Sequence, residues 1–332
     1  MSEPEPALAR HRANPTVSVV ICCYTPQRWT QLTAAIESVG QQTLPASEVL
    51  VVVDHCPALT EMVRRNHPNV RTLENVGPQG LSGARNSGVA ASGGDIVAFL
   101  DDDAVAACDW LEVLVAAYTD DRVLGVGGHV EPAWQSGRPD WFPHEFDWVV
   151  GCSHPGQPSV PAAVRNFIGA NMSFRRLELA EIGGFRTDLG RIGTRPLGCE
   201  ETELCLRLAA RRPDGILRHQ PAATVHHHVP SARGTWTYFR QRCFAEGLSK
   251  AVVARSCGPH RALAAERPYM VQILPRGFAR ALVARIDGTD PAGMRRAAAL
   301  LAGLIITCGG YATGRMRRPH AATLAGHLRT AR

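Results

Sequence analysis

Three apolar runs near the start of the chain restrict the fold more than any other feature of the sequence. VSVVICCY, EVLVVVD and DIVAFL begin at Val17, Glu48 and Asp95, and each is a continuous apolar stretch rich in β-branched residues. Such runs are typical of strands buried on both faces. A further short strand is predicted over residues 70–73, and segments with helical spacing separate the strands. This alternation predicts an α/β fold with a doubly wound, mostly parallel central sheet flanked by helices.

Polar side chains follow these strands at the points where the strands end. Thr25 follows the first strand, Asp54 ends the second, and three consecutive carboxylates, Asp101 to Asp103, follow the fourth. Ligands bind beyond the carboxyl ends of the strands in such sheets, so one crevice is expected to collect all of these groups. Because like charges repel, we expect a cation that arrives with the ligand to balance the three carboxylates.

The acidic triplet suggests a site for a divalent cation, because carboxylate oxygens are the ligands that hard ions prefer. Asp101 and Asp103 lie on the same face of an extended chain and would share the ion. The ion would then hold a ligand that carries phosphate. An acidic turn or a helix cap is the alternative, since a helix is expected soon after Asp109.

The run VHHHV, residues 225–229, offers imidazoles for the same purpose. Strand alternation directs His226 and His228 to one side, and one of them would complete a metal site. The alternative is that these histidines lie on the surface or form ordinary hydrogen bonds.

The glycine-rich stretch NVGPQGLSGARNSGVAAS follows the third predicted strand. It lacks both the GK[ST] ending of a P-loop and the GxGxxG pattern of a dinucleotide fold. It does place Arg85 and Asn86 at the start of a helix, where backbone N–H groups and a guanidinium can meet a diphosphate. A turn that carries a surface arginine is the alternative.

In the predicted helix GCEETELCLRL, helical spacing distinguishes two adjacent glutamates. The positions i, i+3, i+4 and i+7 of one face are Glu201, Leu204, Cys205 and Leu208. This face must be the buried one, so Glu201 points inward, whereas Glu200 is expected on a solvated face. Near a helix N-terminus, Glu201 is expected to stay ionised and to be available as a general base. A capping glutamate is the alternative.

The composition is that of a globular protein from a reducing compartment. The chain is 45% hydrophobic and 20% charged, and its ten cysteines include no CxxC pair. We therefore expect unpaired thiols, no zinc site and, because the N-terminus lacks the apolar core of a secretory signal, a cytoplasmic location. The basic residues form no recognised nucleic-acid motif, so nucleic acid is not an expected partner.

The C-terminal part is basic and contains one long apolar segment. Twelve arginines from Arg261 onward face three carboxylates, and residues 297–313, AAALLAGLIITCGGYAT, are uncharged. The segment is predicted to rest as a helix on an anionic membrane surface, which would place the protein at the inner face of the cell membrane. A membrane span and a soluble packing helix stay open as alternatives.

Six blocks of the sequence, taken in order, closely resemble the family 2 glycosyltransferases with a GT-A fold. The blocks are VSVVICCYTPQRW, VLVVVDHCP, NVGPQGLSGARNSGVAASGGDIVAFLDDDA, GANMSFRR, GGFRTDLGR and GCEETELCLRL. The resemblance covers about two thirds of the chain, residues 17–228. It implies inverting transfer of a sugar from a nucleotide-diphosphate donor (UDP, GDP or dTDP) to a hydroxyl acceptor, with Mg²⁺ or Mn²⁺ as the cofactor.

The resemblance also implies roles for residues on the donor side. Thr25 and Asp54 would hold the nucleoside, and Arg85 would lie close to the nucleotide. The triplet would be the DxD motif that places the metal on the diphosphate: Asp101 and Asp102 would contact the donor, and Asp101 and Asp103 the metal.

The catalytic and acceptor sides follow from the same resemblance. The ED pair that is usual in the family is Glu200–Glu201 here, so the base would be Glu201, one methylene longer than Asp. Trp141, Trp148 and Asn171 are assigned to the acceptor side, where the two tryptophans could stack on a sugar or line a lipid-phosphate channel. Filling of the hydrophobic core is the alternative for the aromatic residues.

The predicted organisation is a flexible leader (1–15), a glycosyltransferase domain (16–230) and a basic helical region (231–332). Within the domain, residues 16–127 would bind the nucleotide sugar and residues 128–230 the acceptor. The aromatic residues and the basic region favour a polyprenyl-linked or cell-envelope glycan as the acceptor. A soluble glycosyltransferase that acts on a small molecule and a non-catalytic sugar-binding module are the alternatives. A sugar nucleotidyltransferase would need a catalytic Arg and Lys after the first strand, and CCYTPQRW supplies no lysine.

Overall fold

The computed structural model describes residues 15–190 and 198–316, so the predicted leader lies almost wholly outside the described residues. The strands are β1 Val17–Cys23, β2 Glu48–Asp54, β3 Arg71–Asn75, β4 Ile96–Asp101, β5 Ala104–Ala106, β6 Val123–Trp134, β7 Ala162–Ala163, β8 Asn171–Arg175 and β9 Ile216–Val229. The helices are α1 Trp29–Gly40, α2 Pro57–Asn66, α3 Leu81–Ala91, α4 Trp110–Ala116, α5 Arg176–Glu181, α6 Glu200–Arg211, α7 Trp236–Cys257, α8 Pro259–Ala262, α9 Glu266–Pro268, α10 Leu274–Ile286 and α11 Gly293–Met316.

All of these strands belong to one mixed sheet in the order β3-β2-β1-β4-β8-β6-β9-β5, with β7 paired to β9. The first four strands in this order pair in parallel, which agrees with the predicted doubly wound half. Beyond β4 the sheet becomes mixed, because β8 is antiparallel to both of its neighbours and β9 is antiparallel to β5 and β7. The predicted parallel pairing therefore describes the first half of the sheet better than the second.

β1 and β2 are buried on both faces, which explains why their sequences are continuous apolar runs. Val19 and Ile21 pack on the side of α1, whereas Val20 and Val52 pack on the side of α3 and α6. On that second side α3 lies very close to the sheet, since a Cβ at Gly88 would come within 2.5 Å of the Val20 side chain. This contact fixes the helix that carries Arg85 against the carboxyl ends of the strands.

The C-terminal helices pack closely on one another and on the rest of the protein. A Cβ at Gly247 of α7 would lie 2.1 Å from the carbonyl oxygen of Thr307, and a Cβ at Gly303 of α11 would lie 2.4 Å from the Phe146 ring. Within the described residues, α11 is the helix that is long and apolar enough to cross a membrane, and 33% of its most apolar stretch is buried. Its outer face exposes Leu301 and Ile305.

Candidate active site

The predicted crevice at the carboxyl ends of the strands begins with Asp54. The side chain of Asp54 is held in place by Asn75, whose Nδ2 donates to Oδ1 at 2.6 Å, and by the backbone N–H of Gly80, which donates to Oδ2 at 2.9 Å. A cavity of about 230 Å³ lies beside these residues and is lined in part by His55 and Glu74. Thr25 accepts a hydrogen bond from the backbone of Gln27 and so caps the turn after β1.

Arg85 joins the two acidic parts of the site. Its side chain is only 2% exposed. Nη1 donates to Glu200 Oε1 at 2.8 Å, and Nη2 donates to Asp101 Oδ1 at 3.3 Å and to the carbonyl oxygen of Gly169 at 3.1 Å. The alternative of a surface arginine is therefore wrong, because Arg85 is a buried cation between carboxylates that are about one hundred residues apart in the sequence.

The charge of the acidic triplet is balanced by arginines of the protein itself, and not only by a cation that arrives with a ligand. Arg28 Nη1 lies 2.7 Å from Asp102 Oδ1 and 3.2 Å from Asp103 Oδ2. Arg233 Nη2 lies 3.3 Å from Asp103 Oδ2. Neither arginine was predicted from the sequence to belong to the site. Arg28 follows the first strand by five residues and could have been included on that ground, whereas Arg233 had no such signal.

The members of the triplet differ in their protonation. Burial and, to a smaller extent, the adjacent charge of Asp103 raise the pKa of Asp102 to about 7, although Arg28 acts in the opposite direction. Burial acts on Asp103 in the same direction, but His227, Arg233 and Arg28 outweigh it and hold the pKa of Asp103 well below its ordinary value. Asp103 therefore carries a negative charge throughout the physiological pH range, while Asp102 does so only partly.

The histidine at the acidic site is His227, so the prediction of His226 and His228 is wrong. His227 Nε2 lies 3.1 Å from Asp103 Oδ1, whereas His226 is exposed and His228 is half-buried. One ligand atom each from Asp101, Asp103 and His227 lie within 4.8 Å of one another. The valines at both ends of VHHHV have the same parity as His227, and since they must be buried, they could have identified the inward histidine.

The donor set of this acidic site fits a divalent cation. It combines two carboxylates with an imidazole, a combination that suits Mn²⁺ and admits Mg²⁺. The Oδ2 atom of Asp102 is buried beside it and makes no hydrogen bond within the described part of the chain. Asp101 is 30% exposed at the side chain and is the member most accessible from the crevice.

We expect that replacing His227 with Ala raises the Mn²⁺ concentration needed to stabilise the protein by tenfold or more. Loss of a group that supports a metal site typically lowers metal affinity by about 10- to 100-fold. The measurement is the Mn²⁺ concentration needed to raise the melting temperature in the presence of a nucleotide diphosphate. His226→Ala is the matched control and should leave that concentration unchanged. An equal effect of both substitutions would remove His227 from the site.

The two glutamates at the start of α6 are both inside the protein. Glu200 is buried and paired with Arg85, so the expected solvated position of Glu200 is wrong: the first turn of α6 is covered on both sides. The apolar face carrying Leu204 and Cys205 is buried as predicted. Cys199, which precedes the pair, has a left-handed φ of 71°.

Glu201 is half-buried and forms part of a cavity wall. Burial raises its pKa to about 8, with the charge of Glu200 adding to the shift and that of Arg85 opposing it. The expectation that Glu201 stays ionised because of the helix N-terminus is therefore wrong for the free protein near pH 7. A carboxyl group with such a pKa is a stronger base once it has lost its proton.

A cavity of about 800 Å³ extends from this carboxylate cluster to the C-terminal helices. Its lining includes Arg85, Asp101, Glu200, Glu201, Trp148, Tyr269, Leu304 and Tyr311. Trp148 reaches the cavity, as the acceptor-side prediction requires, and its Nε1 donates to the Tyr269 hydroxyl at 3.0 Å. One space therefore connects the acidic residues to α11.

Trp141 does not line this cavity. Its ring centroid lies 5.3 Å from that of Trp236 and 5.5 Å from that of Phe239, within an aromatic cluster that joins the sheet to α7. The prediction of an acceptor contact is therefore wrong for Trp141, and the core-filling alternative applies to it.

Asn171 is also a structural residue rather than an acceptor contact. It is fully buried, its Oδ1 accepts from Trp110 Nε1 at 2.8 Å, and its Nδ2 donates to the carbonyl oxygens of His129 and Ala223, each at 2.8 Å. With these bonds both amide N–H groups are engaged and Oδ1 already accepts one hydrogen bond, and the side chain has no exposed surface for a ligand.

Asn171→Ala is expected to lower the free energy of unfolding by about 3 kcal/mol, because the buried indole N–H and two carbonyl groups lose their partner. Urea unfolding followed by tryptophan fluorescence measures this effect. The KM for an acceptor should stay unchanged in the fraction that remains folded, and a raised KM without loss of stability would contradict the structural role.

Comparison with known proteins places this arrangement in a family. Residues 18–183 match the model described as glycosyl transferase family 2. The chain is 34% identical over 241 residues to glucosyl-dolichyl phosphate glucuronosyltransferase of Haloferax volcanii, covering 71% of this chain and 77% of that protein. It is 26% identical over 216 residues to pre-mycofactocin glycosyltransferase of Mycobacterium tuberculosis, covering 64% of this chain and 44% of that protein.

Two solved structures confirm the predicted GT-A fold. The mannosyltransferase PcManGT of Pyrobaculum calidifontis, in complex with GDP-Man and Mn²⁺, superposes with a TM-score of 0.57 at 19% identity over 89% of this chain and 87% of that one. GalNAc-T7 with UDP, GalNAc and Mn²⁺ gives a TM-score of 0.52 at 17% identity, over 84% of this chain and 59% of that one. With the family match and the relative from Haloferax, these findings show that the chain belongs to glycosyl transferase family 2.

Proposed function

We propose that the protein transfers a sugar from a nucleoside-diphosphate donor to a lipid-linked acceptor at the cytoplasmic face of a membrane. The reaction is inverting and depends on a divalent metal. The observation that carries this proposal is the cavity of about 800 Å³, which reaches from Glu201 and Asp101 to Leu304 and Tyr311 of α11. An acceptor with a sugar at one end and a lipid at the other matches a space that is acidic at one end and bounded by an apolar helix at the other. The name of the relative from Haloferax, which includes a dolichyl phosphate, agrees with such an acceptor.

The donor binds at the carboxyl ends of the strands. Thr25 and Asp54 hold the nucleoside, and Asp54 is already oriented by the N–H of Gly80 and by Asn75. Asp101, Asp103 and His227 would hold Mg²⁺ or Mn²⁺. When bound, the ion supplies charge neutralisation for the diphosphate leaving group. Arg85 keeps Asp101 and Glu200 in place on either side of the reacting atoms.

Glu201 is the base. An acceptor hydroxyl donates its proton to a carboxylate oxygen of Glu201 while its oxygen forms a bond to the anomeric carbon from the face opposite the nucleotide. The bond between that carbon and the diphosphate oxygen breaks, and its electron pair leaves with the diphosphate. Transfer from an α-linked donor therefore gives a β-linked product. Glu200 stays paired with Arg85 and raises the basicity of Glu201.

A thermal-shift screen of UDP-, GDP- and dTDP-sugars, each with and without Mn²⁺, tests the donor side. We expect one nucleotide to raise the melting temperature by several degrees only when Mn²⁺ is present, since a ligand at 100 times its Kd adds about 2.7 kcal/mol of stability. Asp54→Ala should abolish this shift. Equal shifts with all three nucleotides, or a shift that needs no metal, would count against the assignment of the acidic site.

The membrane side of the proposal is tested by charge placed on the outer face of α11. Leu301→Glu combined with Ile305→Glu should abolish co-sedimentation with phosphatidylglycerol vesicles, because both side chains are exposed and would otherwise enter the lipid. The melting temperature should stay within a few degrees of the wild-type value, since neither side chain is part of the core. Undiminished vesicle binding by the double variant would exclude the outer face of α11 as the membrane contact. No vesicle binding by the wild-type protein would favour the alternative of a soluble enzyme that acts on a small molecule.

A further inference from the structure

Lys250 is the only lysine in a chain whose other 35 basic residues, out of 36 Lys and Arg, are arginines. It lies on α7 and lines the cavity of about 800 Å³. Its side chain is 19% exposed. Arginine occupies every other Lys or Arg position of the chain, at the surface and in the interior. We therefore ask what a compact ammonium group does at position 250 that a planar guanidinium would not do.

Lys250 is part of a cluster of five charged residues that all line the cavity, which we call the Lys250 cluster. Its members are Arg165, Arg242, Glu246, Lys250 and Glu266. Lys250 Nζ lies 2.5 Å from Glu266 Oε1 and 3.2 Å from Glu246 Oε1. Three cations thus face two carboxylates, which leaves the cluster with one net positive charge in a largely apolar part of the cavity.

The protonation of Lys250 does not remove this charge. Burial acts to lower the pKa of the ammonium group, but the charges of Glu246 and Glu266 more than offset it and hold the pKa above its ordinary value. Glu246 and Glu266 have lowered pKa values, since neighbouring cations outweigh the effect of burial. The cluster is therefore fully ionised near pH 7, with its excess of one positive charge.

The Lys250 cluster lies between the base and α11. On one side, Glu246 Oε1 accepts from the thiol of Cys199 at 3.5 Å, and Cys199 precedes Glu201 by two residues. On the other side, Gly247, the next residue of α7, is in direct contact with α11 at Thr307, where a Cβ would lie only 2.1 Å from the carbonyl oxygen. The order across the cavity is thus carboxylate base, cationic cluster and apolar helix.

We propose that Lys250, together with Arg165 and Arg242, binds the phosphate of the acceptor, a sugar phosphodiester of a long-chain alcohol. This inference rests on the proposed function and adds to it the chemical class of the acceptor's linking group. A phosphodiester carries one negative charge, which equals the excess charge of the cluster. The order of sugar, phosphate and lipid in such an acceptor is also the order of Glu201, Lys250 and α11. Lysine suits this role, because its ammonium group acts as a point charge with three donors, of which Glu246 and Glu266 engage two and the third is open to a phosphate oxygen.

The competing explanation is that the cluster only holds α7 and α9 together. Buried ion pairs often contribute little to stability, but removing one partner leaves the other uncompensated and destabilises the fold. A test must therefore separate loss of phosphate binding from loss of the fold. Removing Lys250 and Glu266 together achieves this, since the double substitution takes away one charge of each sign and leaves the net charge of the cluster unchanged.

The experiment compares two probes that differ only in the phosphate, glucosyl farnesyl phosphate and farnesyl glucoside. Their Kd values are measured by tryptophan fluorescence with the full-length protein in the presence of Mn²⁺ and the donor nucleotide. The wild-type protein is expected to bind the phosphodiester at least tenfold more tightly than the glycoside. In Lys250→Met, and in Lys250→Gln/Glu266→Gln, this ratio should fall to about twofold or less. Arg240→Gln, which removes an exposed charge from the same helix, should keep the wild-type ratio.

The outcomes are distinct from those that test the proposed function. A variant without Lys250 that keeps the wild-type ratio overturns the phosphate site, and so does a wild-type ratio near one. Stabilisation by nucleotide and Mn²⁺ is followed in every variant, and its loss in the wild-type protein would overturn the proposed function instead. Inorganic phosphate serves as a further probe. If it displaces the phosphodiester at micromolar concentration, the site recognises free phosphate rather than the lipid-linked group, and the proposal fails.

Discussion

Glu201→Gln is expected to lower the rate of sugar transfer by a factor of about 10²–10⁴ and, at the same time, to raise the melting temperature above pH 8. The loss of rate follows because an amide cannot accept the proton of the acceptor hydroxyl. The gain in stability follows from the raised pKa of about 8, against an ordinary value of 4.5. Between these two values the folded protein keeps a proton on Glu201 that the unfolded chain has lost. The stability of the folded wild-type protein therefore falls as the pH rises from 4.5 to about 8. Glutamine avoids that cost.

The sign of this pH dependence provides the measurement. Wild-type and Glu201→Gln proteins should have similar melting temperatures below about pH 4.5. The variant should become progressively more stable than the wild type as the pH rises from 4.5 to about 8, and the difference should be constant above that. In the wild type, kcat/KM should increase with pH through the same value, because the free enzyme needs Glu201 without its proton. Glu181→Gln, on an exposed position of α5, is the control and should change neither quantity. A variant that keeps more than a tenth of the wild-type rate would exclude Glu201 as the base.

Arg85→Met is expected to have the largest effect on stability, lowering the free energy of unfolding by about 3–5 kcal/mol. The substitution leaves Glu200 buried without its counter-charge and removes the cation nearest to Asp101. Urea unfolding at pH 7 measures the effect. A second substitution, Glu200→Gln, should restore about half of the loss, because it takes away the stranded charge.

Arg64→Met is the matched control for Arg85→Met. Arg64 also pairs with a glutamate, Glu74, but at 3.7 Å and with both side chains about half exposed. Pairs of this kind contribute about 0–1 kcal/mol, so the control should unfold almost as the wild type does. If Arg85→Met were equally mild, or if Glu200→Gln failed to compensate for it, Arg85 would not be the link between the two acidic groups.

The strand pattern and the position of the acidic triplet could be predicted from the sequence because both depend on local periodicity. The run at Val17 must be buried on both faces, and a carboxylate that ends a parallel strand must lie at the ligand-binding edge of the sheet. The burial of Leu204 and Cys205 followed from helical spacing in the same way, but spacing placed Glu200 on the solvated face, whereas Glu200 is the more buried of the two glutamates. These predictions need only the two repeats, 2.0 and 3.6 residues, and the rules of parallel sheets.

Other parts of the site depend on contacts between distant segments, which local periodicity does not contain. Arg233 contacts Asp103, which lies 130 positions away in the sequence, and Asn171 forms hydrogen bonds with partners from three different segments. The pKa of Glu201 is likewise a property of the assembled cavity, since burial outweighs the favourable helix terminus from which ionisation was expected. The inward position of His227 could have been predicted from local periodicity, because it shares strand parity with the buried valines at both ends of VHHHV.

The close contacts between α11 and α7 limit how this protein can meet a membrane. Gly247 and Gly303 leave no space for a methyl group between α11 and the elements that it touches, and residues of α11 form one wall of the cavity. Moving α11 into a bilayer as an independent span would therefore open the cavity and expose the Phe146 and Phe239 rings that the helix covers. Under the proposed function, the helix would contribute to membrane contact only with its outer face. The enzyme would then lie against the lipid surface as one unit, and a lipid chain would enter from the side.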